Sequence, residues 1–536
     1  MKPLWFAASL ALALSIGASA QAATPDVAVS VDAGKPGAVI ERNILGQFSE
    51  HLGRGVYEGI WVGPDSRIPN TRGIRNDVVA ALKAIKVANV RWPGGCYADE
   101  YHWRDGVGKN RPTTTNSSWG GVLESNQFGT HEFMDFVDQI GAEAYVSVNV
   151  GSGAPREAAE WLEYMTTDKP SELGKLRTAN GREKPFKVAM VGLGNESWGC
   201  GGSMTASDYA KEMRQFATFT KNFNPAQKSG PDKMLKIAVG ADRDDYGWTE
   251  TVMQSWSKKI YSWDIDGLSL HSYTWPKKPE RATGFDAHQY AELLKSTLWM
   301  EELVSKHSAI MDKYDPDKKV GLYVDEWGTW FKVEEGAPGS SLYQQSSQRD
   351  AIVAALNLNI FARHADRVKG ANIAQTINVL QSMILTDGDK MLLTPTYHVF
   401  RMYTAFQDAK VVPLAYDAGT YQEGDIALPR LDAIGAIGKD GKLWLSFTNL
   451  DPRQPLKIAP TVAGFTFKGA KGDTLAADDM GAFNTFAAPN RVKPQAAVIK
   501  AANGGNGGTG SSASLELPPH SVTVIGLNPV KWGRPT

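Results

Sequence analysis

Short apolar runs alternate with helix-like segments from about Asn43 to Leu380, and this alternation constrains the fold more than any other feature of the chain. Such a pattern is typical of parallel strands joined by crossover helices. The runs are Ile44–Phe48, Ala88–Trp92, Ala144–Val150, Val188–Leu193, Ile237–Val239, Gly267–Leu270, Val320–Val324 and Ala371–Val379. Eight such runs predict an α/β fold, a closed (β/α)8 or TIM barrel.

The sequence beyond Met391 has a different pattern. Short runs such as Leu443–Phe447 and Val522–Leu527 are separated by Gly, Pro and Asp turns, which is typical of antiparallel strands. We therefore expect a catalytic barrel over residues 39–390 and a C-terminal, jelly-roll-like β-sandwich over 391–536. The segment 23–38, ahead of the barrel, is expected to add one strand to the sandwich.

The first residues have the features of a secretory signal peptide. Lys2 precedes an apolar stretch from Leu4 to Ile16, and small residues follow up to Ala22. The apolar stretch is shorter than the roughly 20 residues that a membrane-spanning helix needs. The sequence thus predicts a signal peptide over residues 1–22 and an exported protein, either periplasmic or extracellular.

Composition excludes several classes of partner and cofactor. The 57 basic and 58 acidic residues give a net charge of −1, which argues against nucleic acid or an anionic membrane as a partner. The nine histidines are scattered and form no zinc motif, and no phosphate-binding loop is present, so we expect neither a metal nor a cofactor. The only two cysteines, Cys96 and Cys200, provide no disulfide framework, although one bridge between them remains open.

Two of the predicted strands are followed directly by carboxylates. Asn195 and Glu196 come after the fourth strand, and Asp325 and Glu326 after the seventh. In a (β/α)8 barrel the active site lies at the carboxyl ends of the strands, so Asn195, Glu196 and Glu326 should meet there. A pair of glutamates from opposite sides of a barrel predicts a retaining glycosidase, with Glu326 as nucleophile and Glu196 as acid/base.

Further polar and aromatic residues are expected to line the same pocket. A single carboxylate at a strand end is more often an ion-pair partner than a catalyst, a histidine there is as often structural as functional, and most tryptophans are packing residues. With these alternatives open, the candidates for substrate binding are Glu50, Arg91, Cys96, Trp119, Asn195, His271, Tyr273 and Gln375, the last placed within the eighth predicted strand.

Several long motifs resemble glycoside hydrolase family 51. They are FSEHLGR (Phe48–Arg54), RWPGGCYADEYHWRDGVG (Arg91–Gly108), GLGNESWG around Glu196 and VDEWGTW around Glu326. This family consists mainly of α-L-arabinofuranosidases, which are retaining enzymes with a (β/α)8 barrel and a C-terminal β-sandwich and which need no cofactor. By motif match, the resemblance implies that Glu196 is the acid/base and Glu326 the nucleophile. It also implies that Glu50, Arg91, Cys96, Trp119, Asn195, Tyr273 and Gln375 shape or border an arabinose pocket.

The leading hypothesis is an exo-acting enzyme that removes terminal α-L-arabinofuranosyl residues from arabinan, arabinoxylan or their oligosaccharides. An endo-acting β-glucanase or xylanase is the alternative within the same family. A carbohydrate-binding barrel without catalysis is the alternative from another class, and the intact pair of glutamates argues against it. By analogy with the family, a homo-oligomer is expected.

Overall fold

The structure, a computed structural model, describes residues 27–261, 263–502 and 510–530. The predicted signal peptide lies outside these residues. Within them the strands are β1 (Val27–Asp32), β2 (Gly46–Phe48), β3 (Asn70–Thr71), β4 (Ile74–Arg75), β5 (Asn89–Trp92), β6 (Thr114–Asn116), β7 (Val122–Glu124), β8 (Glu143–Val148), β9 (Met190–Leu193), β10 (Leu235–Asp242), β11 (Gly267–Thr274), β12 (Gly321–Thr329), β13 (Val368–Ala374), β14 (Ile384–Asp387), β15 (Lys390–Leu393), β16 (Lys410–Val412), β17 (Leu414–Tyr416), β18 (Thr420–Glu423), β19 (Ile426–Pro429), β20 (Leu431–Ile437), β21 (Leu443–Asn449), β22 (Leu456–Ala463), β23 (Phe467–Leu475), β24 (Gln495–Ala496), β25 (Ile499–Ala502), β26 (Gly510–Leu517) and β27 (Ser521–Pro529). The α-helices are α1 (Asn76–Ala84), α2 (Thr130–Ile140), α3 (Pro155–Thr166), α4 (Glu172–Ala179), α5 (Ala206–Phe219), α6 (Tyr246–Ser257), α7 (Ala287–Tyr314), α8 (Gln348–Arg363) and α9 (Pro395–Tyr403).

Eight parallel strands close into a barrel in the order β2, β5, β8, β9, β10, β11, β12, β13 and back to β2. This confirms the predicted barrel, and each predicted run overlaps one of its strands. Polar residues continue two strands beyond their predicted ends, since β11 extends to Thr274 and β12 to Thr329. The eighth strand ends at Ala374, so Gln375 lies just beyond it and not within it as predicted.

The lower part of the barrel interior is filled by two tyrosine rings. Tyr145 and Tyr323 are buried there and pack with neighbouring apolar side chains. A Cβ atom on Gly267 or Gly370 would lie within 2.5 Å of the Tyr323 ring, so only glycine fits beside it on either side. The filled floor leaves the carboxyl ends of the strands as the open mouth of the barrel.

Two sheets packed face to face form a C-terminal sandwich, as predicted. One sheet has the order β17-β1-β22-β26-β25 and the other β16-β20-β21-β27-β23-β24. Every pairing is antiparallel except that of β1 with β22, which is parallel. The predicted boundaries at residues 22, 38 and 390 stay predictions, and the last of them falls within the β14–β15 hairpin.

The sandwich is fixed to the barrel through helix α8. The side-chain amide of Gln348 donates to the carbonyls of Leu475 (3.2 Å) and His520 (2.8 Å), and that of Asn359 donates to Asp432 (2.6 Å). The residues that make these contacts are all buried. Buried polar groups need partners, so these contacts set the position of the sandwich on the barrel.

Candidate active site

Asp325 and Glu326 are adjacent in β12, yet both reach the barrel mouth. In a regular strand, consecutive side chains point to opposite faces. Here the pairing of β12 with β13 shifts register between Val324 and Trp327, and its pairing with β11 shifts in the same region. Such an irregularity redirects side chains, which is why two neighbouring carboxylates can share one site.

Glu326 is buried and held at both of its carboxylate oxygens. Arg91 Nη1, from the end of β5, donates to Oε1 at 2.8 Å, and the Tyr273 hydroxyl, from β11, donates to Oε2 at 2.7 Å. The Arg91 guanidinium also lies 3.5 Å from Asp325 and faces the Phe48 ring. Two donors, one of them a cation, therefore hold the Glu326 carboxylate in one orientation at the barrel mouth.

Glu196 lies in a tight turn after β9. Its backbone has a φ of +39°, and its carbonyl accepts from the N–H groups of Gly199 (2.7 Å) and Gly201 (3.1 Å). A residue with a side chain seldom adopts this left-handed conformation, which must be maintained by the surrounding structure. The turn places a Glu196 oxygen within 4.8 Å of a Glu326 oxygen, a separation that fits direct attack by one carboxylate and not a water-mediated inversion.

His271 connects the two carboxylates of β12 with Glu196. Its Nδ1 lies 2.9 Å from Glu196 Oε1 and 3.6 Å from Glu326 Oε1, and its Nε2 lies 3.0 Å from Asp325 Oδ1. Burial disfavours charge on this imidazole, but the Glu326 charge and the hydrogen bonds to Asp325 and Glu196 outweigh it and raise its pKa to about 10. His271 is therefore an imidazolium that donates from both nitrogens.

The pKa of Glu196 is raised above its ordinary value. Burial is the main cause, and the negative charge of Glu326 acts in the same direction, while the hydrogen bond from His271 opposes both. Glutamate with a raised pKa keeps its proton at a pH where an ordinary glutamate has lost it. A glutamate that keeps its proton in this way is suited to act as an acid.

Glu50 forms a second buried group beside Glu326. Its carboxylate accepts from the Tyr97 N–H (2.9 Å), the Trp119 indole (2.9 Å) and the Gln375 amide (3.3 Å). Burial raises the pKa of Glu50 to about 7. A Cβ on Gly95 would lie 3.2 Å from a Glu50 oxygen and 3.1 Å from a Glu326 oxygen, so a glycine keeps the space between these two carboxylates open.

Asn195 and Cys96 complete the predicted set. Asn195 Oδ1 accepts from Arg91 Nη2 at 2.5 Å, so the amide N–H groups of Asn195 are not used in this contact. Cys96 forms a disulfide with Cys200, so its sulfur carries no thiol proton here. Cys200 Sγ lies 3.5 Å from Glu196 Oε2, which places the bridge beside the Glu196 carboxyl group.

All ten predicted site residues meet at the barrel mouth. The sequence analysis assigned no role to Asp325, which orients His271 and accepts from the Tyr145 hydroxyl at 2.7 Å, or to Asp99, which binds the loop before Glu196. Asp325 was not predicted as a site residue, because strand alternation places it on the face opposite to that of its neighbour Glu326. The sequence signal for Asp99 was its place, together with Glu100, between the aromatic residues of the motif CYADEYHW.

Two groups of side chains in the described residues have a spacing that a metal ion could use. They are Glu196, His271 and Glu326, and Cys96, Glu196 and Cys200. In the first group the histidine is protonated on both nitrogens, and in the second the two sulfurs are bonded to each other. Metal ligation needs a neutral imidazole or thiolates, so a metal ion would have to displace a His271 proton in the first group, and the second group would first have to be reduced.

A (β/α)8 barrel with two glutamates whose oxygens lie within 4.8 Å of each other at its mouth has the arrangement of a retaining glycoside hydrolase. Family models described as the α-L-arabinofuranosidase 1 domain and the α-L-arabinofuranosidase C-terminal domain match residues 81–294 and 325–521. An intracellular exo-α-L-arabinofuranosidase of Bacteroides ovatus is 43% identical over 98% of this chain and 100% of its own length. The chain belongs to the family 51 α-L-arabinofuranosidases.

Solved structures agree with this assignment. The family 51 arabinofuranosidase of Xanthomonas axonopodis pv. citri superposes with a TM-score of 0.89 at 48% identity, covering 94% of this chain and 100% of that one. The α-L-arabinofuranosidase of Thermotoga maritima, solved as an arabinose complex, superposes with a TM-score of 0.80 at 32% identity, covering 93% and 99%. The predicted family, fold and class of enzyme are therefore confirmed.

The prediction of export is wrong. The Bacteroides ovatus relative, which aligns over nearly the whole of both chains, is named as intracellular. The prediction rested on the pattern of the N-terminal residues, which reports local charge and hydrophobicity and not the fate of the protein. Among the described residues, no helix combines the length and apolarity needed to cross a bilayer.

Proposed function

We propose that this enzyme removes terminal, non-reducing α-L-arabinofuranosyl residues by double displacement, with Glu326 as nucleophile and Glu196 as acid/base. The distance of at most 4.8 Å between oxygens of these two residues is the observation that carries the proposal. The substrate class is an arabinose-containing glycan, and arabinan, arabinoxylan and their oligosaccharides are the proposed sources.

In the first step, a Glu326 oxygen attacks the anomeric carbon of the arabinofuranose. The bond from that carbon to the aglycone oxygen breaks, and the Glu196 proton passes to this oxygen. The product is an arabinosyl ester of Glu326 with inverted configuration. Arg91 and Tyr273 each bind one oxygen of Glu326, so they hold the carboxylate in place until one of these oxygens forms the new bond.

In the second step, Glu196 acts as a base. Esterification removes the negative charge of Glu326, and this charge is one of the causes that raise the pKa of Glu196. The pKa of Glu196 therefore falls in the intermediate, which favours the carboxylate that takes a proton from water. The water oxygen then bonds to the anomeric carbon, the ester bond breaks, and the second inversion restores the original configuration.

The sugar is proposed to lie between Glu50 and Glu326 above Gly95. Glu50, Gln375 and Asn195 are buried polar residues at this place, and each has a hydrogen-bonding atom that can bind a sugar hydroxyl. The indole N–H of Trp119 donates a hydrogen bond to Glu50. A pocket bounded by buried groups favours a single terminal residue, and the name of the Bacteroides ovatus relative as an exo-acting enzyme supports this.

The products formed from polymers test the exo-acting proposal. Incubation with 4-nitrophenyl α-L-arabinofuranoside, arabinan, arabinoxylan and unsubstituted β-glucan should release free arabinose from the first three and nothing from β-glucan. Backbone length should stay unchanged because the pocket admits one terminal sugar. Chromatography of all released sugars is the measurement, and shortened backbone fragments without arabinose would favour an endo-acting cleft instead.

His271→Asn should move the alkaline limb of the kcat/KM profile to higher pH. Activity requires protonated Glu196 and is lost as the pH rises through its pKa. The His271 hydrogen bond and charge lower the pKa of Glu196, so their removal raises it. The measurement is the pH dependence of kcat/KM on phenyl α-L-arabinofuranoside, with His102→Asn, at a half-exposed histidine paired with Glu157, as the control. A shift to lower pH would contradict the inferred role of His271.

A further inference from the structure

A single turn of 3-10 helix, Cys96–Asp99, contacts the loop that carries Glu196 on both sides of that residue. Cys96 is bonded to Cys200, four residues after Glu196. Asp99 accepts from the N–H of Asn195, the residue directly before Glu196, at 2.9 Å. The loop is thus attached to this helix at two points that flank the proton donor.

The Asp99 carboxylate is a buried junction of the backbone. Besides Asn195 it binds the N–H groups of Val150 (2.7 Å) and Gly151 (2.8 Å), so it joins the loops that follow β8 and β9. Its side chain is buried and makes no hydrogen bond to the pocket residues Glu50, Glu196 or Glu326. Asp99 is therefore placed to act through the Asn195 backbone and not on the sugar.

The loop that Asp99 and the disulfide hold has little stiffness of its own. Residues 194, 199, 201 and 202 are glycines, which have wide backbone freedom. Glu196 itself has a left-handed φ of +39°, a conformation that persists only when the surroundings impose it. A Cβ on Gly201 would lie 1.8 Å from the Asn195 carbonyl oxygen and 2.6 Å from Asp99, so this part of the loop packs directly against Asp99.

We propose that the Cys96–Asp99 helix positions the proton donor: Asp99 and the Cys96–Cys200 disulfide hold the loop so that the Glu196 carboxyl faces the leaving oxygen, and reduction releases one of these two attachments. The proposal rests on the role of Glu196 given above. Asp99 and the two cysteines are positioning residues, since they act through the loop.

The disulfide makes the positioning sensitive to a dithiol. Dithiothreitol supplies two electrons and two protons, the S–S bond breaks, two S–H groups form, and the reagent leaves as its cyclic disulfide. Cys200 is exposed, so the reagent can reach the bridge. Of its two attachments to the Cys96–Asp99 helix, the reduced loop keeps only the one to Asp99. The Glu196 carboxyl then samples positions from which proton transfer is slow.

Leaving groups of different basicity test this proposal. Phenolate needs a proton when it leaves, whereas 2,4-dinitrophenolate does not, so only the first depends on a well-placed Glu196. Asp99→Asn and the reduced wild type should each show kcat/KM on phenyl α-L-arabinofuranoside lowered by about 10- to 100-fold, the cost of a misplacement of about 1 Å. On the 2,4-dinitrophenyl glycoside the change should stay within about threefold, because acid catalysis contributes little there.

Asp315→Asn is the matched control. Asp315 is equally buried, accepts from the Val320 N–H at 2.8 Å and pairs with Arg367, but it lies at the opposite end of β12. This variant should lower stability without changing the ratio of the two kcat/KM values. In Cys200→Ser the ratio of the two kcat/KM values should differ from that of the oxidised wild type, and dithiothreitol should not change it further. The reduced wild type contains no substitution, so it tests the proposal even if Asp99→Asn does not fold.

Three outcomes distinguish failure of the positioning proposal from failure of the proposed function. Equal losses on both glycosides would overturn the proposal, because they would mean that the helix shapes the sugar pocket and not the donor. An unchanged phenyl glycoside rate in the reduced wild type and in Asp99→Asn would overturn it as well. A wild type that hydrolyses no arabinofuranoside, whether phenyl or 2,4-dinitrophenyl, would instead overturn the proposed function itself.

Discussion

Glu326→Ala should lower kcat on 4-nitrophenyl α-L-arabinofuranoside by about 10⁴- to 10⁶-fold, as loss of a catalytic nucleophile does in other enzymes. This corresponds to about 5 to 8 kcal/mol of transition-state stabilisation. The substitution removes the atom that bonds to the anomeric carbon and leaves Arg91 and Tyr273 without their carboxylate partner. Steady-state kinetics, with circular dichroism to verify folding, is the measurement.

Azide should restore part of the activity of this variant with a diagnostic product. The anion fits the space left by the carboxylate and attacks the anomeric carbon once, so the product is the inverted β-arabinofuranosyl azide. Glu50→Ala is the matched control, since it deletes a second buried carboxylate from the same pocket and azide should not restore its activity. Rescue of Glu50→Ala and not of Glu326→Ala would exchange the roles of these two glutamates.

Glu196→Ala should lower kcat/KM on the phenyl glycoside by about 10²- to 10⁴-fold, the usual contribution of a general acid. The 2,4-dinitrophenyl glycoside should lose far less in kcat/KM, because its aglycone leaves without a proton. The alkaline limb of the pH profile should also disappear, since the group whose raised pKa sets it is gone. Kinetics on both glycosides across pH measures these effects.

Azide distinguishes this variant from Glu326→Ala. With Glu326 intact, the arabinosyl ester still forms, and azide attacks it in the second step in place of water. Two inversions then give the retained α-arabinofuranosyl azide, which nuclear magnetic resonance separates from the β anomer. Formation of the β anomer from Glu196→Ala would contradict the assignment of Glu196 and Glu326.

The barrel and its mouth could be predicted from the sequence because each depends on local patterns. Apolar runs of strand length report burial within a few residues, and eight of them separated by helices leave few topologies. A polar residue after such a run then falls at the carboxyl edge, where Glu196 lies. The same rule misjudged β11 and β12, because polar residues that find partners across the barrel continue a strand instead of ending it.

The contacts within the site depended on the tertiary structure. Arg91 and Glu326 are 235 positions apart, and no periodicity reports which distant side chains will meet. Asp325 entered the site through a shift of strand register, which reverses the face that alternation predicts.

The sequence by itself determined the number of barrel strands, the family and the positions of Glu196 and Glu326 at the strand ends, since these rest on local hydrophobicity and on motifs read in order. Only the tertiary structure decided that Cys96 and Cys200 are bonded and that the Asp99 carboxylate accepts hydrogen bonds from three backbone N–H groups. Such attachments form when packing brings separate loops together, and packing is a property of the whole chain and not of any one segment of it.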